Sequence, residues 1–332
     1  MAKQDKRIYV ALMNRIAIAL MINQAVLMLL TFVLELVEMS LAPSLKGSEL
    51  ADMMMGMGEC AVYFLGFVIP VIVFNFMNKN AIKEIYEPVE SRKIPSVQAI
   101  FGLFLGLGMI TLFAYFNYYA VNLFFDYSRL TEIFWSVELK EPYQIITYFI
   151  SCAVIPAFVE ELLFRATFCK VLSVYGQGTA IVASATIFAL MHTNVEQVIY
   201  TFVAGLVLGW IYLRTKSLIF PVMLHFINNF ISALGDVIAQ QYSAAIYEKY
   251  IFYSDMLIWV LMGMSIIGLL AYKKDGGELI EKLRLKPDEN GGEVMPLTLG
   301  ERVSGFFSAG MTLFTVYSVA TMIYYVYLST LL

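Results

Sequence analysis

Charge is scarce in this chain. Asp, Glu, Lys and Arg make up 14% of its 332 residues, against roughly 25% in an ordinary soluble domain. Apolar windows of about 20 residues recur from end to end, the signature of membrane-crossing helices. The alternating ten-residue segments of a closed β-barrel are absent, which excludes the other spanning architecture. The three cysteines, Cys60, Cys152 and Cys169, show no C-x-x-C spacing and read as small apolar side chains. Histidine occurs only at His192 and His225. There is no H-E-x-x-H zinc helix, no second Asp placed within a span to partner Asp236, and no G-x-S-x-G serine. Lys3, Lys6 and Arg7 precede an apolar run too long for a signal-peptide core, so the first segment reads as a retained span.

What is present is an all-α polytopic membrane protein of about 8–9 transmembrane helices. The apolar segments run over about 16–37, 59–76, 97–124, 142–175, 179–192, 195–213, 218–238, 256–272 and 303–328. The chain divides into N-terminal helices (1–141), a central bundle (142–240) and C-terminal helices (241–332) with a soluble loop at 273–302. That loop is expected to carry a short amphipathic helix near Glu278–Leu285. With the N-terminus cytoplasmic, 17 of the 22 Lys and Arg fall on inner segments, four on outer ones, and Arg165 stays in the membrane. This asymmetry follows the positive-inside rule and predicts a cytoplasmic location for a reporter fused after Lys274. Gly102, Gly106 and Gly108, and then Gly205 and Gly209, are spaced for close helix packing.

The charged and polar residues inside the spans carry the chemistry. Intramembrane charges are costly and mark functional or paired sites. Glu160, His192 and Asn229 each lie roughly 18–21 Å from the inner end of their own segments at 1.5 Å per residue. Three helices therefore bring polar groups to one depth, and a polar intramembrane cavity is expected. Glu161 and Arg165 are spaced i,i+4 with the acid first, the favourable order for an ion pair. Glu160 is rotated by about 100° from Glu161 and can face another helix. His225 and Asn229 share a face, as do Phe188 and His192. Glu196 and Asp236 read as interfacial or structural, and Asn23, Gln24 and Asn228 as polar contacts between helices.

Hydrolysis fits this set. Glu160 or His192 can take a proton from water, and His225 with Asn229 can steady an oxyanion. Glu160, His192 and His225 could instead hold Zn²⁺ and use a metal-bound water. Residue types alone leave both routes open.

The run E-E-L-L-F-R at 160–165, F-A-L-M-H at 188–192 and H-F-I-N-N at 225–229 resemble, in order, the E-E-x-x-x-R, F-x-x-x-H and H-x-x-x-N motifs of the CPBP family. These are the CAAX proteases and bacteriocin-processing enzymes, also called Abi, among them the type II CAAX prenyl endopeptidases. The resemblance covers about 142–235. It implies an intramembrane endopeptidase in which Glu160 and His192 activate water, His225 and Asn229 form the oxyanion site, and Glu161 and Arg165 support Glu160. Members have been described both as metalloproteases and as glutamate-dependent enzymes. The alternative is a non-catalytic membrane scaffold or bacteriocin-immunity protein of the same fold. The expected substrate is a membrane-associated peptide or protein reached from the lipid bilayer, with no nucleic-acid partner. The expected location is a prokaryotic cytoplasmic membrane.

Overall fold

The computed structural model describes residues 2–41, 48–78, 96–126, 129–130, 138–271 and 297–331. Ten helical elements organise it: α1 (Ala2–Ser40), α2 (Glu49–Met77), α3 (Ser96–Asn122), α4 (Pro142–Tyr175), α5 (Gln177–Met191), α6 (Val198–Thr215), α7 (Ile219–Gln241), α8 (Ala244–Ala271), α9 (Leu299–Phe306) and α10 (Ala309–Ser329). Among the described residues, eight of these are long and apolar enough to cross a membrane; α5, with 15 residues, is shorter. At 1.5 Å per residue α5 spans about 22 Å, less than the roughly 30 Å hydrocarbon core. Large apolar side chains stay exposed on the outside, such as Met28 on α1, Ile267 on α8 and Ile323 on α10. Lipid is the solvent such faces require. The expected amphipathic helix at 278–285 lies outside the described residues.

Two apolar clusters frame the interior. Tyr9, Ile16, Phe67, Phe164, Phe168 and Phe314 join α1, α2, α4, α5 and α10. Leu103, Leu107, Leu208, Leu224 and Ile258 join α3, α6, α7 and α8. The glycines differ in what they permit. A Cβ on Gly205 would lie 2.7 Å from the Ala185 Cα, so α5 and α6 touch backbone to backbone there. At Gly209 the same atom would meet Ile181 at 3.6 Å, an ordinary contact, and at Gly102 it would meet nothing within 4 Å. Of the expected packing glycines, Gly106, Gly108 and Gly205 sit at tight contacts.

Helix α4 is not a uniform α-helix. Pro142–Phe149 is α-helical, Ile150–Val154 is π, Ile155–Glu161 is α, and Leu162–Cys169 is π again. Glu160 and Glu161 thus stand on seven α-helical residues between two widened turns, a distortion often found at functional sites. Proline contributes directly. Pro156 has no N–H to offer the carbonyl four residues back, and that carbonyl, Cys152 O, accepts from Asn229 Nδ2 at 3.0 Å. The same device recurs in α2, where Pro70 leaves Gly66 O to accept from Asn23 Nδ2 at 2.8 Å. In each case an asparagine from another helix supplies the donor that proline removed.

Candidate active site

Glu160, His192, His225 and Asn229 line one cavity of about 250 Å³, together with Tyr63, Tyr148, Cys152, Gln197, Asn228 and Asp236. The structure brings the four motif residues together from α4, α7 and the end of α5. Glu161 and Arg165 stand behind the wall, 0% and 1% exposed.

His192 is placed by the way α5 ends. Its backbone N–H turns to Ala189 O at 3.2 Å. That tighter closure leaves Phe188 O for the His192 ring, whose Nδ1 lies 2.8 Å from it. Thr193 follows at φ 52°, a left-handed conformation that stops the helix. A β-branched residue is rarely found there, at a cost on the order of 1–3 kcal/mol. An Nδ1–H bonded to a carbonyl leaves Nε2 of the neutral ring as an acceptor.

His225 is held differently. Its Nδ1 lies 2.9 Å from Glu161 Oε1, which also accepts from Arg165 Nη1 at 2.8 Å. Arg165 stacks its guanidinium 4.5 Å from the centroid of Phe188. The arginine and glutamate therefore orient His225. They do not touch Glu160, the residue the family resemblance had them support. His225 Nε2 is left facing Glu160 Oε2 at 3.9 Å.

Glu160 is buried, and its one hydrogen-bonded oxygen, Oε1, accepts from the hydroxyl of Tyr63 on α2. Oε2 is shielded from solvent and has no hydrogen-bond partner. A buried carboxylate oxygen without a donor is costly, and the residue that carries it lines the cavity. Asn229 gives one amide hydrogen to Cys152 O, which leaves its second for the cavity. Tyr63 carries no motif and was not legible as a site residue. The only hint was a phenol in an otherwise apolar run.

Two further acidic residues, expected at an interface or in a structural role, have defined surroundings. Asp236 lines the cavity and accepts from Tyr148 Oη at 2.8 Å. Glu196 is buried with neither carboxylate oxygen partnered, and its backbone carbonyl accepts from Asn117 Nδ2. Cys60 and Cys169 are buried as expected, whereas Cys152 is partly open to the cavity.

The zinc reading calls for Glu160, His192 and His225 to converge on one point. Among the described residues, no group of three or more His, Cys, Asp or Glu side chains is arranged to hold a metal ion. The three candidates border one cavity without closing into a ligand set, so no step below passes through a metal.

No curated protein and no solved structure matches the chain. Residues 142–231, which hold all three motifs and fifteen of the twenty residues that line the cavity, match the family described as Type II CAAX prenyl endopeptidase Rce1-like.

Proposed function

We propose that this protein is an intramembrane endopeptidase that hydrolyses a peptide bond in a membrane-associated peptide or protein. The observation that carries the reading is Glu160 itself, a buried carboxylate in the lining of the cavity with its Oε2 unpartnered and facing His225 Nε2. The match of 142–231 to a protease family supports the same class of reaction.

In this reading the Glu160 carboxylate takes a proton from water, and His192 Nε2 accepts a hydrogen bond from the O–H that stays on the attacking oxygen. The hydroxide attacks the scissile carbonyl carbon. The second amide hydrogen of Asn229 stabilises the oxyanion, and so does His225 Nε2–H when the ring carries both protons. One such donor is worth on the order of 10²-fold in kcat. Glu160 then passes its proton to the leaving amine, which completes general acid–base catalysis. Tyr63 keeps the Glu160 carboxylate in place throughout. The N-terminus is read as cytoplasmic on the distribution of Lys and Arg, and the membrane as a prokaryotic cytoplasmic one on the short loops between spans.

The test is a survey of peptide termini in membranes from cells holding the wild-type chain, no chain, or Glu160→Gln at equal expression. Termini present only with wild type establish proteolysis and name the substrate. Equal termini and phenotype for wild type and Glu160→Gln would replace this reading with a non-catalytic scaffold or immunity protein.

A further inference from the structure

The cavity does not end at the residues of hydrolysis. Along α7, His225, Asn228, Asn229, Ser232 and Asp236 all border it. Their spacing of three, four, seven and eleven residues from His225 keeps them on one helical face. The stripe continues about 10 Å past Asn229 to Asp236, at 1.5 Å per residue. Ser232 is exposed, and Cys152 and Asp236 are partly exposed, so this end of the cavity is open. Tyr148, 5% exposed, holds Asp236 Oδ2 by its hydroxyl.

The charge of this space is one-sided. Glu160 and Asp236 both border it, and among the described lining residues there is no Lys or Arg. Arg165, the nearby cation, is committed to Glu161 behind the wall. Two carboxylates in a space of low dielectric repel an anion and attract a cation more strongly than they would in water.

We propose that Asp236 forms a subsite for a lysine or arginine side chain of the substrate. This deepens the protease reading and rests on it. An extended peptide advances about 3.3 Å per residue, so the basic residue lies about three residues from the scissile bond.

Cys152 gives a direct probe, because it borders the cavity beside Tyr148 and Ala233. The full-length protein in detergent is treated with methyl methanethiosulfonate, its cationic trimethylammonium-ethyl analogue or its anionic sulfonato-ethyl analogue. Modification of Cys152 is followed by mass spectrometry, with buried Cys60 and Cys169 as internal controls. Normalised to the neutral reagent, the cationic one is expected to react at least tenfold faster than the anionic one. The preference is expected to vanish in Asp236→Asn and to fall in Ser232→Lys, which places a cation on the exposed part of the stripe. Equal rates for both charged reagents in wild type, or no reaction at Cys152 at all, would overturn the anionic subsite.

The second arm uses quenched ten-residue peptides in which one lysine is walked through an alanine–leucine sequence. The expected result is faster cleavage with lysine at one fixed position, lost in Asp236→Asn while neutral peptides are still cut. Cleavage indifferent to lysine would overturn the substrate subsite and leave the protease standing. Charge-selective labelling with no Glu160-dependent cleavage of any peptide would sink both the protease reading and the substrate role of Asp236, and leave only a cation-attracting cavity.

Discussion

Arg165 Nη1 lies 2.8 Å from Glu161 Oε1, and neither side chain reaches solvent. The same carboxylate oxygen also meets His225 Nδ1 at 2.9 Å. A pair that began as an i,i+4 spacing on one helix is thus the anchor for a histidine 64 residues away.

Removing the cation leaves Glu161 buried and uncompensated. Breaking one partner of such a pair costs about 3–5 kcal/mol. Arg165→Ala is therefore expected to lower thermal stability and yield in detergent sharply. Arg165→Lys keeps a charge but loses the planar guanidinium beside Phe188 and is expected to be intermediate. Unfolding temperatures of the three proteins check the order, and an Arg165→Ala protein as stable as wild type would mean that water reaches the pair.

Tyr63→Phe removes the hydroxyl that meets Glu160 and nothing else. A hydrogen bond to a charged group is worth about 1.5–3 kcal/mol, which is roughly 10- to 100-fold when expressed as a rate. The expected loss falls in kcat, with KM and unfolding temperature little changed, because the phenyl ring still stacks on Phe67 at 4.9 Å. A change confined to KM would place Tyr63 in substrate binding instead.

Gly205 and Gly209 separate close approach from mere spacing. Gly205→Ala forces a Cβ to 2.7 Å from the Ala185 backbone, and overpacking of this kind costs about 1–3 kcal/mol. Gly209→Ala meets only ordinary contact with Ile181, and alanine favours the helix by about 1 kcal/mol. Thermal unfolding should show the first variant destabilised and the second unchanged or slightly more stable. Equal effects at the two sites would contradict the close contact of α5 and α6.

A mechanism that relies on Glu160, His192 and Asn229 without a metal predicts activity without stoichiometric zinc. Protein purified through a chelator is expected to keep cleaving and to hold well under one equivalent of zinc by elemental analysis. One equivalent that disappears in His192→Ala, with activity restored only by added Zn²⁺, would move the reaction onto a metal-bound water.

The sequence by itself determined the class of molecule and the order of its parts. Lipid selects apolar stretches by length and composition, both local properties, so the spans and the short α5 could be read directly. The Glu161–Arg165 pair was legible for a similar reason, since four residues of helix return two side chains to one face. Only the tertiary structure decided what meets across helices. Tyr63 reaches Glu160 over 97 residues of chain, and Asn229 reaches Cys152 over 77. Neither separation leaves a periodic trace. The proline at 156 was visible, but which donor would satisfy the carbonyl it frees was not. That Asp236 lines the cavity was not legible, because a polar stripe on α7 looks the same whether it faces headgroups or a cavity. That choice is made by the helices packed against it, and here they leave α7 open to a space already bordered by Glu160.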